Sequence, residues 1–201
     1  MNRESGFAEL LAPHAGGKMA DRLVLYAELL ERWAQRHNLV SFIDRKELVE
    51  RHILEALAAE PFLGRTGRLL DIGSGAGLPG IPLLAARPEW EGVLLEPRQK
   101  RWAFLRQVIR ELGLKARADR LRYQELPPGE TWDLLTVRAV GGYDELLPWA
   151  RARLAPRGEV LLWTTNEWER RLRGDARWRV LSSPLLGLDR GRLVRLQPCF
   201  T

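Results

Sequence analysis

The chain has 201 residues, 45% of them hydrophobic, and a formal net charge of +6 from 32 Lys and Arg against 26 Asp and Glu. That length and apolar content suit one well-cored domain, and no run approaches the roughly 20 apolar residues that a bilayer span needs. The sole cysteine, Cys199, excludes an intrachain disulfide and a cysteine-based metal cluster, and His14, His37 and His52 lack ligand spacing, so no metal site is expected.

Residues 20–36 place Leu23, Tyr26, Leu30 and Trp33 at three- and four-residue steps, which predicts an amphipathic helix. Asp44 followed by Glu47 resembles a capping box, opening a second helix that Pro61 must end. Both lie before the first strand, so residues 1–62 are expected to form an N-terminal helical extension packed on a core of residues 63–201. From residue 68 the chain alternates. Strands are predicted at 68–72, 92–96, 120–123, 132–137 and 159–164, with helices at 80–86, 98–112 and 143–154. This is an α/β pattern, a doubly wound and mostly parallel sheet. Residues 177–182 and 192–197 are both strand-like, with Pro184, Gly187 and Gly191 between them and no helix, which predicts an antiparallel hairpin at the sheet edge.

The first strand ends on Asp71, and Gly73, Gly75, Gly77 and Gly80 follow within eight positions, where a helix is about to begin. Glycines permit positive φ and close approach of a ligand, and a helix start offers unpaired N–H groups. That combination suits a nucleotide-like cofactor better than a plain β–α connection. Gly75-Ala-Gly77-Leu-Pro-Gly80 formally satisfies the dinucleotide fingerprint. The predicted strand stops at Ile72, however, so the turn begins at Gly73. Read from Asp71, the loop looks more like the first motif of class I S-adenosyl-L-methionine (SAM) methyltransferases.

Three strand ends supply further candidates, because ligands of open α/β sheets lie outside the carboxyl ends of the strands. Glu96 ends the second strand and suits the two hydroxyls of a ribose. Tyr123 and Gln124, at the end of the predicted third strand, offer an aromatic surface and a hydrogen-bonding partner for an adenine. Arg138 ends the fourth strand at the mouth of the site, where it either serves the reaction or pairs with a structural acid. The helix after Glu96 carries Arg98, Lys100, Arg101, Arg106 and Arg110 away from its apolar face. With a pI near 10.1, that face suits nucleic-acid phosphates or simply solvent.

Together these residues resemble the GidB/RsmG family, bacterial methyltransferases that modify a guanine of small-subunit (16S) ribosomal RNA at N7. The resemblance rests on Tyr26-Ala-Glu-Leu-Leu-Glu-Arg-Trp33 with Asn38-Leu39, on Arg51-His52-Ile-Leu, on Asp71 to Pro82, on Phe104-Leu-Arg-Gln-Val and on Arg138-Ala-Val. It implies a class I SAM-dependent methyltransferase fold, SAM as cofactor, and 16S ribosomal RNA or the small ribosomal subunit as partner. It implies cofactor contacts at Asp71, Gly73, Gly75, Gly77, Leu78, Glu96, Tyr123, Gln124 and Arg138, with Arg138 the candidate catalytic residue. Asn38 and His52 are candidates for the guanine pocket, and Trp168, in an Arg-rich segment, for stacking on RNA. Two positions depart from the family pattern. Gln124 stands where Glu is common, and Thr164-Thr165 occupies the place of a Lys-Gly pair. A small-molecule methyltransferase, an NAD-linked oxidoreductase and a non-catalytic RNA-binding protein are the alternatives. A monomer in the cytoplasm is expected, since the N-terminus shows no basic-then-apolar leader.

Overall fold

The structure, a computed structural model, describes residues 6–37, 39–185 and 191–199. Among them, β1 (Arg68–Ile72), β2 (Glu91–Leu95), β3 (Ala116–Asp119), β4 (Trp132–Arg138), β5 (Leu154–Thr165), β6 (Trp178–Pro184) and β7 (Gly191–Pro198) form one sheet in the order β3-β2-β1-β4-β5-β7-β6. The first five pair in parallel. β7 runs antiparallel between β5 and β6, so the chain ends in the expected hairpin. Strand order reverses between β1 and β4, and the crevice at that switch point is where such sheets hold ligands.

Period-two alternation divides the strand side chains between two cores. Leu69, Leu94, Leu134 and Leu161 face α2 (Gly17–His37), α5 (Gly80–Ala86) and α6 (Gln99–Leu112). Leu70, Leu95, Leu135 and Leu162 face α7 (Tyr143–Arg151) and α8 (Asn166–Arg173). The N-terminal helices, including a short α1 (Phe7–Leu11), belong to the first of these cores. α2 also reaches the glycine loop, where the buried Tyr26 hydroxyl donates to the Ala76 carbonyl at 2.8 Å.

Asp44 caps the helix as expected, but the reciprocal bond of a capping box goes to the residue before the cap. Asp44 Oδ1 accepts from the Glu47 N–H at 2.8 Å, and Glu47 Oε2 accepts from the Ile43 N–H at 2.6 Å. The helix it opens is not uniform: α3 (Arg45–Leu48) passes into a π-helical stretch, Val49–Leu54, before α4 (Glu55–Leu57). Pro61 then sits in a 3-10 turn, Glu60–Phe62.

Three expectations need correction. The third strand lies at Ala116–Asp119, not 120–123, because Gly113 closes α6 in the left-handed region (φ 61°) and the chain pairs with Gly92–Leu95 almost at once. The apolar character of Leu121 and Tyr123 reflects a loop packed on the second core, and Tyr123–Glu125 is a 3-10 turn. α7 ends at Arg151, with β5 starting earlier than expected at Leu154. α8 was not anticipated; Thr165 caps it, its hydroxyl accepting from the Trp168 N–H at 3.4 Å. No helix among the described residues is long and apolar enough to cross a membrane.

Candidate active site

The loop after β1 takes the conformation that its glycines allow. Gly73, Gly75 and Gly77 have φ of 71°, 55° and 89°. At Gly73 a second constraint applies: a Cβ there would lie 2.6 Å from Val140 Cγ2, across the switch point. Gly80 is needed for a different reason, since a Cβ would come within 2.8 Å of Asp71 Oδ2. The loop is tied to the next strand through the Ser74 N–H, which donates to the Leu95 carbonyl at 2.9 Å.

Asp71 is fully buried beneath this loop and accepts from the Thr136 hydroxyl at 2.7 Å. Expected as a cofactor contact, it lines neither of the clefts described below and ties β1 to β4 beside the start of α5. Burial pushes its carboxyl up to about 6, against the hydrogen bonds that favour the ionised form. A folded-state pKa above the unfolded value near 3.8 gives stability that is fully present below pH 3.8 and lost as pH rises through 6. The stability of the wild type relative to Asp71→Asn is accordingly expected to fall by about 2 kcal/mol between pH 4 and 7. Urea unfolding across that range checks it; a flat difference would contradict the assignment.

Glu96 follows β2 and is buried. Its Oε2 accepts from the Gly75 N–H at 3.1 Å and its Oε1 from the Arg98 N–H at 2.8 Å. The carboxylate thus braces the loop, and an ionised carboxylate retains further lone-pair sites for hydroxyl donors.

Beside it lies a cleft of about 260 Å³ lined by Ile72, Gly73, Tyr123, Gln124, Val140 and Glu145. Tyr123 is half-buried and meets Trp149 edge-on, with centroids 5.0 Å apart, while Gln124 is exposed. Three of the expected contacts, Gly73, Tyr123 and Gln124, therefore share one cavity. Gly77 packs against Ile81 and Leu105, and Leu78 is buried; like Gly75 and Glu96, neither is among the residues that line the cleft. Glu145, in the first turn of α7, escaped sequence reading because a lone acid at a helix start looks like an ordinary first-turn carboxylate.

Arg138, at the end of β4, is engaged by protein groups. Its guanidinium donates to the Arg51 carbonyl at 3.0 Å, to the His52 carbonyl at 3.3 Å and to Glu55 Oε2 at 2.9 Å. The Arg138 and Glu55 side chains are only 18% and 3% exposed. The structural pairing is thus present, and through it Arg138 joins the sheet to the π-helical stretch. The next residue, Ala139, has φ 56°, unusual for a residue with a side chain, and stored strain of this kind clusters at functional sites. Arg138 and Ala139 border a second cleft of about 360 Å³, whose other walls include Glu55, Trp163, Thr164 and Thr165. The exit of β4 thus separates the two cavities.

His52 lies behind Arg138. Its Nε2 is 3.2 Å from the Ser41 carbonyl and its Nδ1 3.5 Å from the guanidinium, an arrangement that suits a neutral ring protonated on Nε2. Burial holds its pKa below the ordinary imidazole value, with Arg138 adding to the effect and the Ser41 bond opposing it. His52 lines neither cleft. Asn38 lies outside the described residues. Trp168 is half-buried, edge-on to Tyr143 at 4.8 Å and under the Arg171 guanidinium, and it lines a separate cavity with Asp144 and Arg177, away from the two clefts. Among the described residues no cluster of three or more His, Cys, Asp or Glu could hold a metal ion.

Residues 19–182 match the family described as GidB, rRNA small subunit methyltransferase G. Curated relatives named ribosomal RNA small subunit methyltransferase G include one from Alkalilimnicola ehrlichii, 40% identical over 143 residues, or 71% of this chain and 64% of the relative. Another, from Mycolicibacterium paratuberculosis, is 42% identical over 139 residues, 68% of this chain and 56% of the relative. The matched stretch thus spans about 60% of such relatives' own length. Among solved structures, a methyltransferase from Geobacter sulfurreducens superposes with a TM-score of 0.66 at 14% identity, covering 87% of this chain and 89% of its own. An SAH-bound methyltransferase from Podospora anserina gives 0.63 at 17% identity, covering 96% and 93%. At such identities these likenesses establish the class I methyltransferase fold.

Proposed function

The chain belongs to the GidB family, rRNA small subunit methyltransferase G, and from that membership we propose that it transfers a methyl group from SAM to N7 of a guanine in 16S ribosomal RNA. The observation that carries the cofactor assignment is the cleft at the switch point, where the bare backbone of Gly73 faces Val140 and a side chain at position 73 would fill the gap. Tyr123 supplies an aromatic wall for an adenine, Gln124 an amide partner for its polar edge, and Glu96 acceptor sites for ribose hydroxyls. When bound, SAM supplies a sulfonium-activated methyl that guanine N7 accepts on its lone pair, leaving the thioether and no proton to remove. This chain's residues are therefore asked for alignment and exclusion of water, not for a general base. Exposed Arg98, Lys100, Arg106 and Arg110 along α6 offer sequence-independent contacts to phosphates.

Loss of Glu96 is expected to weaken SAM binding by about 1–3 kcal/mol, the scale of a lost charged acceptor. Titration calorimetry on Glu96→Ala measures it, and an unchanged affinity would remove Glu96 from the site. The substrate assignment is tested by labelled methyl transfer from SAM to small ribosomal subunits of a strain that lacks the enzyme. Label on a guanine, lost on prior N7 methylation, is the expected result; no labelled guanine would refute it.

A further inference from the structure

The second cleft contains a group that the cofactor reading does not use. Glu55 lies in the first turn of α4, buried, with Oε2 on Arg138. Its other oxygen, Oε1, is buried without a hydrogen-bond partner among the described residues. Glu55 is one of the residues that line the cleft, beside Arg138, Ala139 and Trp163, and its side chain is 3% exposed. Trp163 already donates its indole N–H to the Glu55 carbonyl at 2.9 Å, so what it offers the cleft is apolar ring surface. A buried acceptor left unmet is costly, and one facing a cavity is an acceptor for a ligand.

We infer that Glu55 recognises the target base, accepting the N1–H and N2–H donors of guanine's Watson–Crick edge. This rests on the guanine reading given above and deepens it. An ionised carboxylate only accepts hydrogen bonds. Guanine alone among the four bases presents two adjacent N–H donors on that edge; adenine and cytosine pair a donor with an acceptor there, and uracil flanks its one donor with two acceptors. Burial raises the pKa of Glu55 above the ordinary carboxylate value, and the neighbouring Arg138 guanidinium opposes that shift in favour of the ionised form. N7 lies at the other end of the purine from N1 and N2. A guanine held by Glu55 therefore directs N7 away from the carboxylate, while the wall common to both clefts is the Ala139–Val140 exit of β4. A base read on its Watson–Crick edge in this cleft has left its stack, which matches the way enzymes gain access to base atoms.

The test combines a protein change with a substrate change. Wild type and Glu55→Gln are compared in single-turnover methyl transfer at saturating SAM, on 16S RNA carrying either guanine or inosine at the methylated position. Inosine keeps N1–H and N7 and lacks only the N2 amine. Wild type is expected to methylate inosine about tenfold more slowly than guanine. Glu55→Gln is expected to keep its SAM affinity, methylate guanine about 30-fold more slowly, and discriminate the two bases less than threefold. A merely structural role for Glu55 would slow both bases alike and leave the tenfold preference intact; that outcome overturns the inference. Equal wild-type rates on guanine and inosine overturn it too, whether or not the variant folds. Failure of wild type to label guanine at all would instead refute the function proposed above.

Discussion

Gly73→Arg is expected to eliminate measurable SAM binding in a chain that still folds. A residue with a side chain at φ 71° carries a backbone penalty of about 1–2 kcal/mol. That alone is tolerable in a domain of this size. The larger effect comes from direction: the Cβ vector points at Val140 Cγ2, 2.6 Å away, so the arginine stem must push through the cleft between β1 and β4. It would occupy the space assigned to the cofactor and displace Val140 at the edge of the second core, leaving the first core untouched. Calorimetric titration reads the loss, and circular dichroism checks that secondary structure persists. Unchanged SAM affinity would refute the assignment of the loop. Gly73→Ala is expected to be intermediate, since a single methyl displaces Val140 without filling the cleft.

Arg138→Ala is expected to lower global stability by about 3–5 kcal/mol, the range seen when one member of a buried pair is removed. The reason is what it leaves behind. Glu55 is buried and would face the low-dielectric interior with no cation, and the Arg51 and His52 carbonyls would each lose a donor. Adding Glu55→Gln to Arg138→Ala should recover part of the loss, because the uncompensated charge disappears. Arg138→Lys should retain the charge but not the fork that reaches two carbonyls and a carboxylate together. Urea unfolding measures each variant. A loss below 1 kcal/mol for Arg138→Ala would place the pair among exposed ion pairs of little energetic consequence.

The sheet was readable in the sequence because its signals are local. Apolar runs such as Leu134-Leu135 mark strands covered on both faces, and Gly73 to Gly80 announces the turn between strand and helix. β3 was misplaced because Ala116-Arg-Ala-Asp119 has no apolar run, while Leu121 and Tyr123 mimic one from a loop. The site was legible where a residue sits at a strand end. It was not legible where the partner comes from far along the chain. Nothing near Arg138 in sequence reveals that Glu55, 83 positions earlier, holds it, or that Asp71 is sealed behind Thr136. Sequence spacing locates a side chain along the chain; whether it points to solvent or to the interior depends on tertiary packing.

The hydrogen bond from Tyr26 to Ala76 bears on how this protein can be divided. By sequence, the boundary near residue 62 separates a helical extension from the core on which it packs. Yet Ala76 lies inside the glycine loop, and its carbonyl is met by a phenol from α2, while Arg138 depends on carbonyls and a carboxylate from residues 51–55. Cutting there would strip a partner from the cofactor loop and from the β4 exit at once. The protein is therefore not modular at its apparent seam: a shortened version beginning at residue 63 should be a poor SAM binder even if its sheet assembles.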